Sequence, residues 1–484
     1  MQDIQEQTDP GYKWRAMFVV SVGVFMATLD GSIVNIALPT LTRYFNTDIS
    51  TIVWVILSYM LTITALLLTL GRLSDMYGKK PVFAAGIAIF TIGSALCSFS
   101  ASEMELISFR MVQGVGAAMI MANGHAIITS AFPHTERGRA LGLIGTMVSV
   151  GSMLGPVLGG FLIDWAGWQS IFFINIPVGI FGTAYALKTL KKDELHKGQK
   201  FDFYGAFFMF ISVTSLMLGI TEGQELGWGS SEIIALFITF AVFLLLFLRV
   251  EASTSQPMVD LSLFKNRLYS ASNLSSFLSF VPMFSVILLM PFYMVEILGF
   301  STKEVGMALI WVPVAMALVS PLSGWIYDRT RSPIPGSLGI ALCVLALYLM
   351  SNLSVDSGFW DIVLMLSMIG IGMGMFQSPN NTIIMSSVPT NRLGIASGLL
   401  AMVRTLGMVT GTAISGAVFN SILNSQQAAG ATYESAFLAG FHYAFLVSAV
   451  ICAAGVLTSL VRTEKNSLMN GAERTVQGSE MKVK

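Results

Sequence analysis

Charged residues are scarce in this sequence, and their scarcity excludes most soluble folds. Asp, Glu, Lys and Arg together make up 11% of the 484 residues, whereas soluble domains carry about 25%. Hydrophobic residues make up 54%, and a soluble chain this rich in them would expose large apolar patches to water. The composition therefore indicates a chain that lies largely within a lipid bilayer.

Cysteine is also scarce, and neither sign of charge is in excess. The three cysteines, Cys97, Cys343 and Cys452, lie far apart in apolar runs and predict neither a disulfide framework nor a metal site. A formal net charge of zero argues against a nucleic-acid partner. The polar N-terminus lacks the basic start, apolar stretch and cleavage site of a signal peptide, so we expect the first apolar run to remain in the protein.

Fourteen apolar runs are each long enough for a helix that crosses a bilayer core of about 30 Å. They cover residues 16–38, 51–70, 82–100, 106–131, 140–163, 169–189, 203–221, 231–249, 268–295, 305–326, 336–352, 360–386, 394–420 and 440–461. The runs lack the alternation of barrel strands, and lipid offers backbone groups no hydrogen-bond partner. We therefore predict an all-α polytopic membrane protein.

Lysine and arginine are distributed unevenly between the loops. If the N-terminus is cytoplasmic, only Arg43 and Lys303 of the 27 basic residues lie in loops on the far side, while Arg110 and Arg404 lie inside apolar runs. The positive-inside rule then predicts that both termini are cytoplasmic, which requires an even number of spans. We expect a monomer integral to the plasma membrane, which is the inner membrane in a bacterium.

Two segments of the chain resemble each other and predict an internal duplication. Residues 114–160 align without a gap on residues 370–416. Seven matched positions share glycine or the loop proline: Gly114, Gly116, Pro133, Gly138, Gly142, Gly155 and Gly160 fall on Gly370, Gly372, Pro389, Gly394, Gly398, Gly411 and Gly416. The duplication relates runs 1–6 to runs 9–14 and leaves runs 7 and 8 as an inserted pair. Two parallel six-helix halves with a midplane site between them are a transporter architecture.

The predicted domain organisation follows from this duplication. It comprises a cytoplasmic N-terminal segment (1–15), an N-terminal six-helix bundle (16–190), a cytoplasmic linker (191–202), the inserted helices (203–249), a second cytoplasmic linker (250–267), a C-terminal six-helix bundle (268–461) and a cytoplasmic tail (462–484). We expect the tail to lack fixed structure, because it is polar and terminal.

Several short motifs resemble those of the major facilitator superfamily. GRLSDMYGKKP at 71–81 resembles its signature loop, RMVQGVGAAM at 110–119 the fourth-helix motif of its proton antiporters, and GSMLGPVLGG at 151–160 the fifth-helix antiporter motif. LDGSIVNIALP at 29–39 is similar to the first-helix motif of the fourteen-helix drug/proton antiporters, although Gly31 and Ser32 depart from it. A degenerate copy of the signature loop, GWIYDRTRSP, occupies 324–333.

The resemblance implies a secondary transporter that exports lipophilic, cationic or neutral compounds in exchange for protons by alternating access. Two alternatives stay open: a proton-coupled exporter or uniporter of a lipid, peptide or metabolite, and a membrane receptor that transports nothing. We do not expect an enzyme, because no Gly-rich nucleotide motif, paired carboxylates or metal-ligand cluster is present. The driving force would be the proton motive force, with no cofactor.

Asp30 is the carboxylate that the sequence places deepest in the membrane. It lies 15 residues beyond Arg15, or about 22 Å along a helix and past the midplane. Arg110 enters from the other face and reaches about the same depth. An ionisable residue there is a functional candidate. We predict that Asp30 couples proton movement to transport and that Arg110 modulates its proton affinity; the alternative is an ion pair that only fixes helix packing.

The signature loop is interpreted through the resemblance as a conformational latch. It contains Gly71, Arg72, Asp75, Gly78 and Lys79. Gly78 permits a tight turn, and Asp75 would hold the two halves together on the cytoplasmic side, near a helix N-terminus that favours its charge. The alternative is a solvated loop whose basic residues maintain topology.

Two further groups of residues complete the predicted site. Gly151, Gly155, Pro156, Gly159 and Gly160 remove side chains from one helix face, either for tight packing or for a bend that seals the transport path. A substrate cavity is predicted from polar side chains inside the apolar runs: Asn35, Gln113, Asn123, Gln377, Asn380, Asn381 and Arg404. Arg404 would bind a substrate anion or a proton-linked water, or pair with a polar neighbour.

Overall fold

The computed structural model describes residues 10–47, 49–192, 201–223, 226–254, 257, 259 and 261–480, and its regular elements there are helical. The fourteen long helices are α1 (Pro10–Phe45), α2 (Ile49–Tyr77), α3 (Lys79–Ser98), α4 (Glu103–Ala131), α5 (Arg137–Ala166), α6 (Ser170–Thr189), α7 (Phe203–Glu222), α8 (Ser231–Ser253), α9 (Arg267–Phe292), α10 (Glu304–Thr330), α11 (Ile334–Ser351), α12 (Phe359–Ser386), α13 (Leu393–Ala428) and α14 (Tyr433–Glu480).

The predicted all-helical membrane fold is confirmed. Within the described residues thirteen helices are long and apolar enough to cross a bilayer, and the number is fourteen when the two parts of α5 are counted as one span. These parts, Arg137–Gly155 and Leu158–Ala166, meet at an angle of 41°. The break contains Pro156, and a proline inside a helix removes a backbone donor and commonly kinks the chain.

Two elements differ from the sequence-based expectation. The sixth span is interrupted at Ile174, so that a single turn (Ser170–Phe173) precedes the longer segment Asn175–Thr189. The last helix continues to Glu480, whereas we expected the tail from 462 to lack fixed structure. A helix that is already formed extends without the cost of nucleation, which accounts for the longer helix.

The chain divides into two compact units. Unit 1 comprises residues 1–261 with 388–406, and unit 2 comprises 262–387 with 407–484. The division differs from the sequence-based one in two places, because both the inserted pair α7/α8 and the start of α13 pack within unit 1. Gly71 explains the second difference, since its backbone lies so close to Gly394 that a Cβ there would stand 2.6 Å from the Gly394 oxygen.

Equivalent glycines of the two repeats make equivalent close contacts inside their own units. A Cβ on Gly116 of α4 would lie 2.6 Å from the Gly86 oxygen of α3. A Cβ on Gly372 of α12 would lie 2.5 Å from the Gly339 oxygen of α11. The backbones of the fourth helix of each repeat and the helix before it therefore touch, which only small residues allow. This shared packing supports the internal duplication.

Candidate proton-coupling site and latch

Asp30 lies in the interior of unit 1 and is paired with Arg110. Both side chains are completely buried, and Arg110 Nη1 donates to Asp30 Oδ2. The sequence placed the two residues at about the same depth but left open whether they touch. A charged pair removed from water loses a large solvation energy, so it requires further hydrogen bonds around it.

Polar side chains from three helices supply those hydrogen bonds. Gln113 Nε2 of α4 donates to Asp30 Oδ1 at 2.8 Å, and Asn175 Nδ2 of α6 donates to the same oxygen at 3.1 Å. Ser94 Oγ of α3 accepts from both amides, at 2.9 Å from Gln113 and 3.0 Å from Asn175. The Asp30 carboxylate of α1 is therefore linked by hydrogen bonds to side chains of α3, α4 and α6. We name this group of side chains the Asp30 network.

Arg110 links this network to α2. Its Nε donates to the Val55 carbonyl oxygen at 3.0 Å, and its guanidinium lies 4.0 Å from the centre of the Tyr59 ring. Gln113 Oε1 accepts from Nη1 at 2.5 Å. Among the described residues the buried Nη2 atom has no hydrogen-bond partner. The N–H groups of Nη2 could therefore donate to a new acceptor if α1 moved relative to α4.

Gln113 corrects the predicted substrate cavity. The sequence suggested that it faces a substrate, but both ends of its buried amide are bonded to Asp30, Ser94 and Arg110. Its position three residues after Arg110 places both side chains on the same face of α4. Gln113 therefore orients the ion pair rather than lining a cavity in this conformation.

The latch residues lie together in unit 1. Asp75 Oδ1 accepts from Gly394 N at 2.8 Å, and Oδ2 accepts from Ile395 N at 3.0 Å. These are the first backbone donors of α13, and a carboxylate at a helix N-terminus satisfies unpaired amides and favours the helix dipole. Lys79 lies within electrostatic reach of Asp75, and Gly78 adopts a φ of 97° before α3. The arrangement matches the predicted contact of Asp75 with a helix N-terminus.

The glycine face of α5 packs against α1. A Cβ on Gly151, Gly155 or Gly159 would collide with Thr28, Ser32 or Ile33 respectively. Ser32 Oγ also donates to the Gly151 oxygen at 3.2 Å. Ser32, a departure from the family motif, is therefore an active part of this contact. Gly160 is different from the sequence-based expectation, because a Cβ there would meet no atom within 4 Å.

The remaining predicted cavity residues are dispersed. In unit 1, Asn35 is exposed and donates to the Gly31 oxygen, whereas Asn123 is buried and donates to the Met119 oxygen. Arg404 lies within electrostatic reach of His125 on α4. In unit 2, Gln377, Asn380 and Asn381 are all buried on α12.

Sequence reasoning missed Ser94 and Asn175 in the Asp30 network. Each is one of a few polar residues in a largely apolar run, and such residues must find a hydrogen-bond partner in a membrane. That signal indicates a partner but does not identify it. The break at Ile174 immediately precedes Asn175 and could not be read from the composition of the run.

A membrane protein with many helices and a buried ion pair in its first unit has the features of a polytopic transporter. The Major Facilitator Superfamily model matches residues 20–412. The chain therefore belongs to this superfamily.

Three comparisons describe its relatives. The chain is 35% identical to the riboflavin transporter RibZ of Clostridioides difficile, over 93% of this chain and 97% of RibZ. It is 31% identical to the multidrug resistance protein Stp of Mycobacterium tuberculosis, over 84% of this chain and 76% of Stp. The crystal structure of the human organic anion transporter MFSD10 matches with a TM-score of 0.66 and 15% identity, over 92% of this chain and 99% of MFSD10, and supports the fold alone.

Proposed function

We propose that this protein is a proton-coupled antiporter that exports lipophilic, drug-like compounds. The observation that carries the proposal is the Asp30 network, in which a buried carboxylate of a transporter fold accepts hydrogen bonds from two other helices, α4 and α6. Buried ionisable groups in membrane proteins commonly mark ion pathways. Relatives that are named multidrug resistance proteins support the substrate class.

The coupling step follows from competition for one carboxylate. A proton that binds Asp30 removes the negative charge that Arg110 pairs with. The guanidinium must then seek other acceptors, and the α1–α4 contact rearranges. Release of the proton restores the pair. Proton binding and helix arrangement are thereby linked, which is the requirement for coupling a gradient to alternating access.

A second candidate substrate is riboflavin. The similarity to RibZ extends over nearly the whole of both chains. The two candidates differ in substrate but share the transporter fold, so a single assay can separate them.

The test is flux in proteoliposomes that contain the purified protein. We expect ethidium to accumulate only when a pH gradient is imposed, and Asp30→Asn to abolish this accumulation while leaving downhill flux. Asp356→Asn, which changes an exposed carboxylate in unit 2, is the matched control. Gradient-driven transport by the Asp30→Asn protein would exclude the coupling role, and transport of riboflavin but not of ethidium would establish the second candidate.

A further inference from the structure

Two buried carboxylates lie at the ends of the inserted helices α7 and α8. Asp202 is 9% exposed and its Oδ1 accepts from Gly205 N at 2.8 Å, which caps α7. Glu251 is 4% exposed and lies in the last turn of α8. A negative charge at a helix C-terminus opposes the helix dipole, and its burial adds a solvation cost. The stability of α8 therefore does not explain a buried carboxylate at this position, and its partners lie outside the helix.

A chain of hydrogen bonds connects Glu251 to the start of α13. Glu251 Oε2 accepts from the backbone amide of Val259 at 3.1 Å. In the same segment the Pro257 oxygen accepts from Arg392 Nη1 at 3.5 Å. Arg392 ends the short 3₁₀ turn Thr390–Arg392, directly before the helix whose first amides are bound by Asp75. The chain just after the inserted pair therefore contacts the turn that directly precedes the amides bound by Asp75.

The charges around Arg72 determine whether this contact is favourable. Arg72 of the signature loop is buried, and it interacts with Arg392, which has the same charge. Two carboxylates attract it, Asp75 and, more weakly, Glu251. Among the described residues its Nε has no hydrogen-bond partner. Two arginines at close range repel each other, and this repulsion is strong where water is excluded. A nearby carboxylate offsets it.

We propose that the inserted helix pair is a component of the latch, and that Glu251 is its positioning residue. Glu251 binds the Val259 amide, two residues along the chain from the Pro257 oxygen that Arg392 contacts, and it adds to Asp75 a second carboxylate that offsets the repulsion between Arg392 and Arg72. Without this charge the first turn of α13 would separate more readily from α2, although Asp75 is intact. The inference rests on the proposed alternating access. It assigns a role in the conformational cycle to α7 and α8, the two helices that lie outside the duplication.

The test measures how readily α13 separates from the rest of unit 1. Ser397 of α13 is completely buried, and its Oγ donates to the Met121 oxygen of α4 at 3.3 Å. Ser397→Cys is introduced into a protein whose three native cysteines are replaced, and its reaction with a maleimide is followed in purified protein. We expect Glu251→Gln to raise the labelling rate about tenfold, the ratio that corresponds to about 1.4 kcal/mol. Glu232→Gln, at the exposed first turn of the same helix, should not change it.

Two further variants separate charge from packing. Glu251→Asp keeps the charge and should label within about threefold of the parent, a difference of less than 1.4 kcal/mol. The double variant Glu251→Gln, Arg392→Gln removes the repulsion and should label more slowly than Glu251→Gln alone. Should Glu251→Gln not yield folded protein, the double variant should restore folding.

The proposal is overturned if Glu251→Gln labels at the parent rate. It is also overturned if the double variant labels faster than the single one, or does not restore folded protein. Because the labelling reaction requires neither a substrate nor a pH gradient, it can succeed when ethidium flux fails. The failure of this inference and the failure of the proposed function are therefore distinguishable.

Discussion

At the scale of single residues, the Asp30 network concentrates the polar chemistry of unit 1. One carboxylate receives hydrogen bonds from Arg110, Gln113 and Asn175, and all four side chains are buried. Such a network is stable only when all members are present, because the removal of one charge strands its partner in a medium that solvates it poorly. The same property makes it sensitive to a proton.

The first prediction concerns the stability of this ion pair. Asp30→Asn should lower the thermal unfolding temperature in detergent, because an unpaired buried charge costs about 3–5 kcal/mol. Addition of Arg110→Gln should recover part of the loss, since both charges are then absent. Unfolding of the two variants and the parent would be followed by the fluorescence of a thiol-reactive dye at the buried cysteines. Additive losses in the double variant would mean that the two groups do not act as a pair.

At the scale of elements, close helix contacts depend on positions where a side chain is absent. The contact of α5 with α1 is formed by glycines opposite Thr28, Ser32 and Ile33, and it lies one turn from Asp30. Movement of α1 against α5 would therefore be transmitted directly to the carboxylate. The break between Gly155 and Leu158 divides α5 into two parts that meet at 41°.

The second prediction distinguishes two glycines of the same motif. Gly155→Ala should reduce transport and stability, because its Cβ would collide with the Ser32 hydroxyl. Gly160→Ala should have little effect, because a Cβ there meets no atom within 4 Å. The measurement is initial transport rate together with thermal unfolding. Ser32→Gly should partly rescue Gly155→Ala, and equal losses from both alanine variants would show that the motif acts through helix flexibility rather than through this contact.

At the scale of the whole molecule, the sequence was sufficient for the fold but only partly for the site. Hydropathy and the distribution of basic residues predicted the helices, because lipid exposure imposes a strong and local constraint. The depth of Asp30 and Arg110 followed from helix geometry, and the model brings them together. The rotation of each helix about its axis could not be predicted, since these helices are apolar on all sides. For this reason Gln113 was expected in a cavity, and Ser94 and Asn175 were not identified.

The assignment of residues 388–406 to unit 1 also lay beyond the sequence. It depends on the backbone contact of Gly71 with Gly394 and on the acceptors that Asp75 presents to α13. Gly394 was visible in the duplication and Gly71 in the signature loop, but their mutual contact is a tertiary property. The first turn of α13 therefore belongs to the same unit as the signature loop that binds it.

The last prediction tests the role of Asp75 in the transport cycle. Asp75→Asn keeps the size of the side chain but removes the charge that stabilises the first amides of α13, a loss of about 1.5–3 kcal/mol for hydrogen bonds to a charged group. The state in which α13 is docked should then be less populated, and turnover should fall about tenfold, the change that about 1.4 kcal/mol produces. Apparent substrate affinity should change little, because Asp75 bonds to the backbone of α13. Initial flux over a range of substrate concentrations separates the two effects, with Asp356→Asn as the control for loss of a carboxylate. A weaker apparent affinity at unchanged turnover would place Asp75 in substrate binding instead of in the conformational step.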